Sequence, residues 1–99
     1  MSVSNGEPTY KIHMSKHVTN KLKTLIQNSP RAKEVVASLK RIREKLEHDP
    51  WNFGEQRYHL YDARMQVRVG VVSPVAVLYG ISMHRPEVYV SSFVPLHGA

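Results

Sequence analysis

Residues 65–81, MQVRVGVVSPVAVLYGI, form the most apolar stretch of an otherwise polar chain, and a single Ser73-Pro74 step divides it. Apolar residues recur with a period of two on both sides of that step, which predicts two strands joined by a turn. A turn centred between Ser73 and Pro74 pairs Val72 with Val75, Gly70 with Val77, Arg68 with Tyr79 and Gln66 with Ile81. One face then carries Met65, Val67, Val69, Val71, Ala76 and Leu78, with no polar side chain longer than Ser82. The other carries Arg64, Gln66, Arg68, Gly70 and Tyr79 beside Val72, Val75, Val77 and Ile81. The first face is the expected seat for covering helices, and the second is expected to stay open.

Arg68 is the only charge within this stretch. On an open face its stem would lie over Val77 and its guanidinium on Tyr79, a contact contributing ~0.5–1 kcal/mol at an exposed site. Alternatively Arg64 and Arg68 offer phosphate-binding forks that stay charged at any relevant pH. Spacing alone leaves both readings open.

The rest of the chain supplies the covering layer. Residues 1–8 are expected to be a flexible lead-in, followed by one domain over 9–96. TYKIHM alternates Tyr10, Ile12 and Met14 against Lys11 and His13, a short strand. Ser15 is an expected N-cap for KHVTNKLKTLIQN, whose Val18, Leu22, Leu25 and Ile26 form one helical stripe. Ser29 and Pro30 suit the N-cap and first turn of a second helix burying Ala32, Val35, Val36, Leu39, Ile42 and Leu46. HDPWNFG ends that helix, with Trp51 and Phe53 expected as core anchors. After QRYHLY and the central hairpin, EVYVSSFV completes the pattern. The expected class is α+β: an N-terminal strand, an antiparallel helix hairpin, then a three- to four-stranded antiparallel sheet with helices on one face.

Charge narrows the partners. The formal net charge is +6. From Pro8 to Lys33 six basic residues, among them Lys16, Lys21 and Lys23, meet no acidic one. A one-sided positive field favours a polyanion or an acidic protein. There are no cysteines, so disulfides and thiolate metal sites are excluded. The six histidines show no metal-ligand spacing, and no cofactor or metal is expected. No apolar run approaches the ~20 residues of a membrane span, and the start lacks a signal-peptide layout. A soluble cytoplasmic protein is expected.

The layout and three short motifs, HDPWNFGE, QVRVG and HRPEVY, resemble the RelE/ParE superfamily of type II toxin–antitoxin toxins over Tyr10 to Tyr89. In the ribosome-dependent members of that family, the resemblance implies metal-independent endoribonuclease cleavage of mRNA on the ribosome. Basic residues on the open sheet face then offset the charge that develops on the reacting phosphate. The resemblance implies catalytic roles for Arg68, Arg85 and Tyr89; Arg64, their neighbour by its place on the sheet face, and the basic first-helix residues Lys16, Lys21 and Lys23 are expected on nucleic acid from position and charge alone. The resemblance also implies growth inhibition and an acidic antitoxin wrapping the basic helices. One departure is that no basic residue lies between Arg68 and Arg85. Two alignments follow. In one, HRPEVY closes the catalytic set; in the other, HRP is a turn, EVYVSSFV is the last strand, and His97 is the remaining basic-type group near the end. The competing functions are a catalytically depleted binding or inhibitory module acting on a protein, and a nucleic-acid-binding protein that uses the basic first helix.

Overall fold

A computed structural model describes residues 9–96; the expected lead-in over 1–8 and His97 lie outside the described residues. The elements are β1 (Lys11–Met14), α1 (Lys16–Asn28), α2 (Ala32–His48), α3 (Pro50–Phe53), β2 (Glu55–Leu60), β3 (Met65–Val72), β4 (Val75–Ser82) and β5 (Glu87–Pro95). The five strands form one sheet in the order β1-β5-β4-β3-β2. Strands β2 to β5 make an antiparallel meander, and β1 joins its far edge parallel to β5. The central hairpin has the register expected from the sequence, from Val72 with Val75 to Gln66 with Ile81.

The helices start for different reasons. Ser15 caps α1 as its sequence predicts, its Oγ accepting the Val18 N–H at 3.1 Å. A cap of this kind stabilises a helix by ~1 kcal/mol. The second helix begins later than Ser29-Pro30 suggested. Ser29 Oγ accepts the Arg31 N–H at 3.0 Å and so holds a turn, and the α2 ladder opens with Val35 N–H on Arg31 O. Arg31 therefore sits at the cap without a side-chain capping bond. Of the expected stripe, Val35, Ile42 and Leu46 are fully buried, while Ala32, Val36 and Leu39 are half-buried.

The seating of the helices is the reverse of the expectation. The core joins Val18, Val35, Ile42 and Leu46 of the helices to Val75, Val77, Tyr79, Ile81, Val88 and Val90 of the sheet. The face bearing Arg68 is thus the covered face, and the Met65–Val71 row with Ala76 and Leu78 is open. Volume decides this. The covered side of β4 offers three β-branched chains and a tyrosine ring, whereas the open side offers Ala76, Leu78, Gly80 and Ser82. Burying the larger apolar area contributes more, at about 25 cal/mol per Å². Two polar residues at the end of that face do not outweigh it, because both find partners. Ser38 Oγ of α2 donates to Ser73 O at 2.8 Å, fixing the helix over the hairpin turn.

Gln66 meets Arg68 and His59, while the partners of Arg68 and Tyr79 come from α3, a one-turn helix inside the segment expected only to stop α2, and from the Gly54 that follows it. Tyr79 Oη, fully buried, donates to Pro50 O at 2.7 Å and accepts the Gly54 N–H at 2.9 Å. Arg68 closes the knot: Nε donates to Gly54 O at 3.0 Å, and a second guanidinium nitrogen does so at 2.5 Å. Its remaining nitrogen bonds Gln66 Oε1. Phe53 stacks along Tyr79 with ring centroids 5.9 Å apart. Gly70 is the seat for that ring, since a Cβ there would come within 2.3 Å of Phe53 Cε2. Desolvation is the main cause that pushes the Tyr79 phenol above its ordinary value of 10.0.

Candidate functional site

The structure disperses the residues that the sequence marked. Arg68 is spent on the Gly54 carbonyl beneath α3, on the wrong face for an open phosphate site. Arg64 lies in the β2–β3 turn at φ 52°, exposed, its carbonyl accepting the Met83 N–H at 2.9 Å. Arg85 lies in the turn between β4 and β5, and Tyr89 lies within β5, which realises the alignment with HRP as a turn. Lys16, Lys21 and Lys23 are exposed on α1. No two of the three expected catalytic residues are brought together by a hydrogen bond.

A different cluster forms where β1 meets β5. The parallel register sets Lys11 beside Glu87 and His13 beside Tyr89, all four on the open face. The His13 and Tyr89 rings stack with centroids 4.6 Å apart and planes 13° from parallel. Tyr89 Oη donates to Glu87 Oε1 at 2.5 Å, and the same oxygen lies 3.5 Å from His13 Nε2. That nitrogen is shut off from water and makes no hydrogen bond. The Tyr89 bond, helped by His13, Arg85 and Lys11, holds the Glu87 carboxyl below its ordinary 4.5, and the same bond, with partial desolvation and the Glu87 charge, lifts the Tyr89 phenol above its ordinary 10.0 against the pull of Arg85. A carboxylate between an imidazole and a phenol can orient both for proton transfer. Sequence reading placed His13 on a strand and missed the cluster, because its other half lies at the far end of the chain.

Two surfaces flank this edge. The open face is apolar: Val71 is 54% exposed, Tyr58 51%, Val94 48% and Leu60 41%, around Val69, Leu78 and Ala76. Arg68 is turned to the covered face and Arg57 sits in the β2 bulge between Gln56 and Tyr58, while the charges that the register sets on the open face are Glu55 on β2 and Lys11, His13 and Glu87 at the β1–β5 edge. On the covered side, α1 and α2 leave between them a groove of about 740 Å³. Ile12, Leu22, Ile26, Val36 and Leu39 line it, with Lys11, Lys40, Arg43 and Glu47 at its rim. Among the described residues no three His, Asp or Glu side chains gather as metal ligands, and no helix is long and apolar enough to cross a membrane.

This arrangement defines the class: an α+β sheet-and-hairpin fold of the RelE type. The chain superposes on an archaeal RelE from Pyrococcus horikoshii OT3, solved in complex with RelB, with a TM-score of 0.66. The match covers 92% of this chain and 99% of that one, at 18% sequence identity. No family model and no curated protein matches the sequence. The fold is therefore RelE-like, as the short motifs implied.

Proposed function

We propose that this chain is the toxin-type half of a toxin–antitoxin pair, a cytoplasmic growth inhibitor that acts on the translation machinery by binding. The observation that carries the binding mode is the open sheet face. RNA cleavage on this fold calls for arginines there, and here Arg68 is held on the other face while valines and a leucine occupy the surface. Contiguous exposed apolar surface rimmed by polar residues suits contact with protein.

The neutralising partner is an acidic antitoxin. The α1–α2 groove supports that part of the reading, since its apolar floor suits the apolar side of a helix and the Lys40 at its rim, beside the Arg43–Glu47 pair, suits an acidic flank. The RelE with which this fold aligns was itself crystallised with RelB.

A second reading, mRNA endoribonuclease activity at the ribosome, draws on one specific observation, the His13–Glu87–Tyr89 cluster with Lys11 and Arg85 nearby. There His13 would take the 2′-hydroxyl proton and the cations would offset charge on the phosphate.

One experiment separates them. The chain is induced in a bacterial host beside a His13→Ala/Tyr89→Phe form, and growth and mRNA 5′ ends are followed. Arrest by both forms with intact mRNA supports binding. New mRNA ends that vanish in the double variant support cleavage. Undisturbed growth with abundant folded protein defeats the toxin reading altogether.

A further inference from the structure

A second cavity, about 270 Å³, lies where the β4–β5 turn faces α3 and the residue preceding β1. Tyr10 and Trp51 stand among its walls, with Met83, His84, Arg85 and Pro86 from the turn and Ser82 beside them. Its walls are anchored by backbone and hydroxyl bonds. The buried Ser82 Oγ accepts the Arg85 N–H at 3.1 Å and the His84 N–H at 3.4 Å. The Lys11 N–H donates to Pro86 O, and the Tyr10 N–H to Glu47 O, each at 2.9 Å.

Arg85 lines this cavity from the exposed turn. Among the described residues the ion pairs of Arg31 with Glu34 and of Arg43 with Glu47 leave Arg85 out, and no hydrogen bond uses its side chain. Two aromatic side chains, a free guanidinium and an imidazole thus share one small hollow outside the sheet faces and the helix groove. Aromatic rings stack on nucleobases whatever their identity. A guanidinium binds phosphate oxygens through two parallel hydrogen bonds.

We infer that this hollow is a mononucleotide site, with the base beside Trp51 and Tyr10 and the phosphate on Arg85 and His84. The ligand chemistry is a planar heteroaromatic ring carrying a phosphate, supplied either as a free nucleotide or as one nucleotide of an RNA strand. This site goes beyond the toxin reading and stands or falls independently of it.

Trp51 is the sole tryptophan, so its emission reports the site directly. The full chain is titrated with AMP, with adenosine and with a short oligoribonucleotide, alongside Arg85→Ala and, by calorimetry, Trp51→Phe. Saturable quenching by AMP, weakened about tenfold or more for adenosine and for Arg85→Ala, is the expected result. Saturable quenching by the oligoribonucleotide alone, again lost in Arg85→Ala, assigns the same site to RNA. Arg85 is exposed in a turn, so its variant keeps the fold, as circular dichroism will verify. Absence of saturable quenching by either ligand overturns the inference, and so does quenching that Arg85→Ala leaves unchanged.

Discussion

The two faces of the sheet use polar residues in opposite ways. On the covered face, Tyr79, Arg68 and the Pro50 and Gly54 backbone satisfy one another, and those hydrogen bonds serve to hold α3 in place. At the β1–β5 edge of the open face, Tyr89, Glu87 and His13 crowd together, and the His13 Nε2, 3.5 Å from the Glu87 carboxylate, makes no hydrogen bond. The first arrangement is complete and inert; the second holds a group with hydrogen-bonding capacity in reserve. A tyrosine and a basic residue occur in both, so residue type alone does not distinguish structure from chemistry. Which face the helices take decides it.

The contrast can be broken most forcefully at Tyr79. Tyr79→Phe leaves the Pro50 carbonyl and the Gly54 N–H without their buried partner and should cost about 2–4 kcal/mol, read from urea midpoints. Next comes Gly70→Ala, which drives a methyl into the Phe53 ring and should cost about 1–3 kcal/mol in the same assay. Arg68→Met should follow at about 1–2 kcal/mol through the freed Gly54 carbonyl. If Arg68 acted on RNA instead, Arg68→Met would abolish growth arrest at full stability. On the open face, Val71→Lys and Val94→Lys should each shift stability by no more than about 0.5 kcal/mol, while blocking growth arrest if that face meets the target.

The smallest effect concerns pH. The Glu87 carboxyl titrates lower in the fold than in the unfolded chain, so its contribution is present in full above its ordinary 4.5 and fades as pH falls below that. Tyr89→Phe removes the main cause, and the Glu87 titration followed by NMR should then move upward.

How much of this was legible in the chain depends on how local the information is. The β3–β4 register follows from where Ser73-Pro74 sits, because a two-period pattern fixes pairing once the turn centre is known. The Ser15 cap and the α1 stripe are equally local. The orientation of the hairpin is not legible from the polarity of Arg68 and Gln66, because the Gly54 carbonyl that receives Arg68 follows a helical turn that the PWNF stretch does not advertise. The cluster at His13 was illegible for a similar reason. KIHM shows a strand but not its neighbour, and the exposed Lys11 and His13 look like an ordinary solvent edge until β5 is laid alongside.

That pairing of first strand with last has a consequence for the timing of synthesis. Closing so long a loop costs entropy, and only contacts made by both ends offset it. Strand β1 leaves the ribosome before the helices and the central hairpin, yet its neighbour, β5, is made after all of them. The His13–Tyr89 stack therefore exists only in a chain translated through to its final strand. A product truncated before Glu87 would contain the helices and the central hairpin but none of that edge, so synthesis of β5 is itself what assembles it.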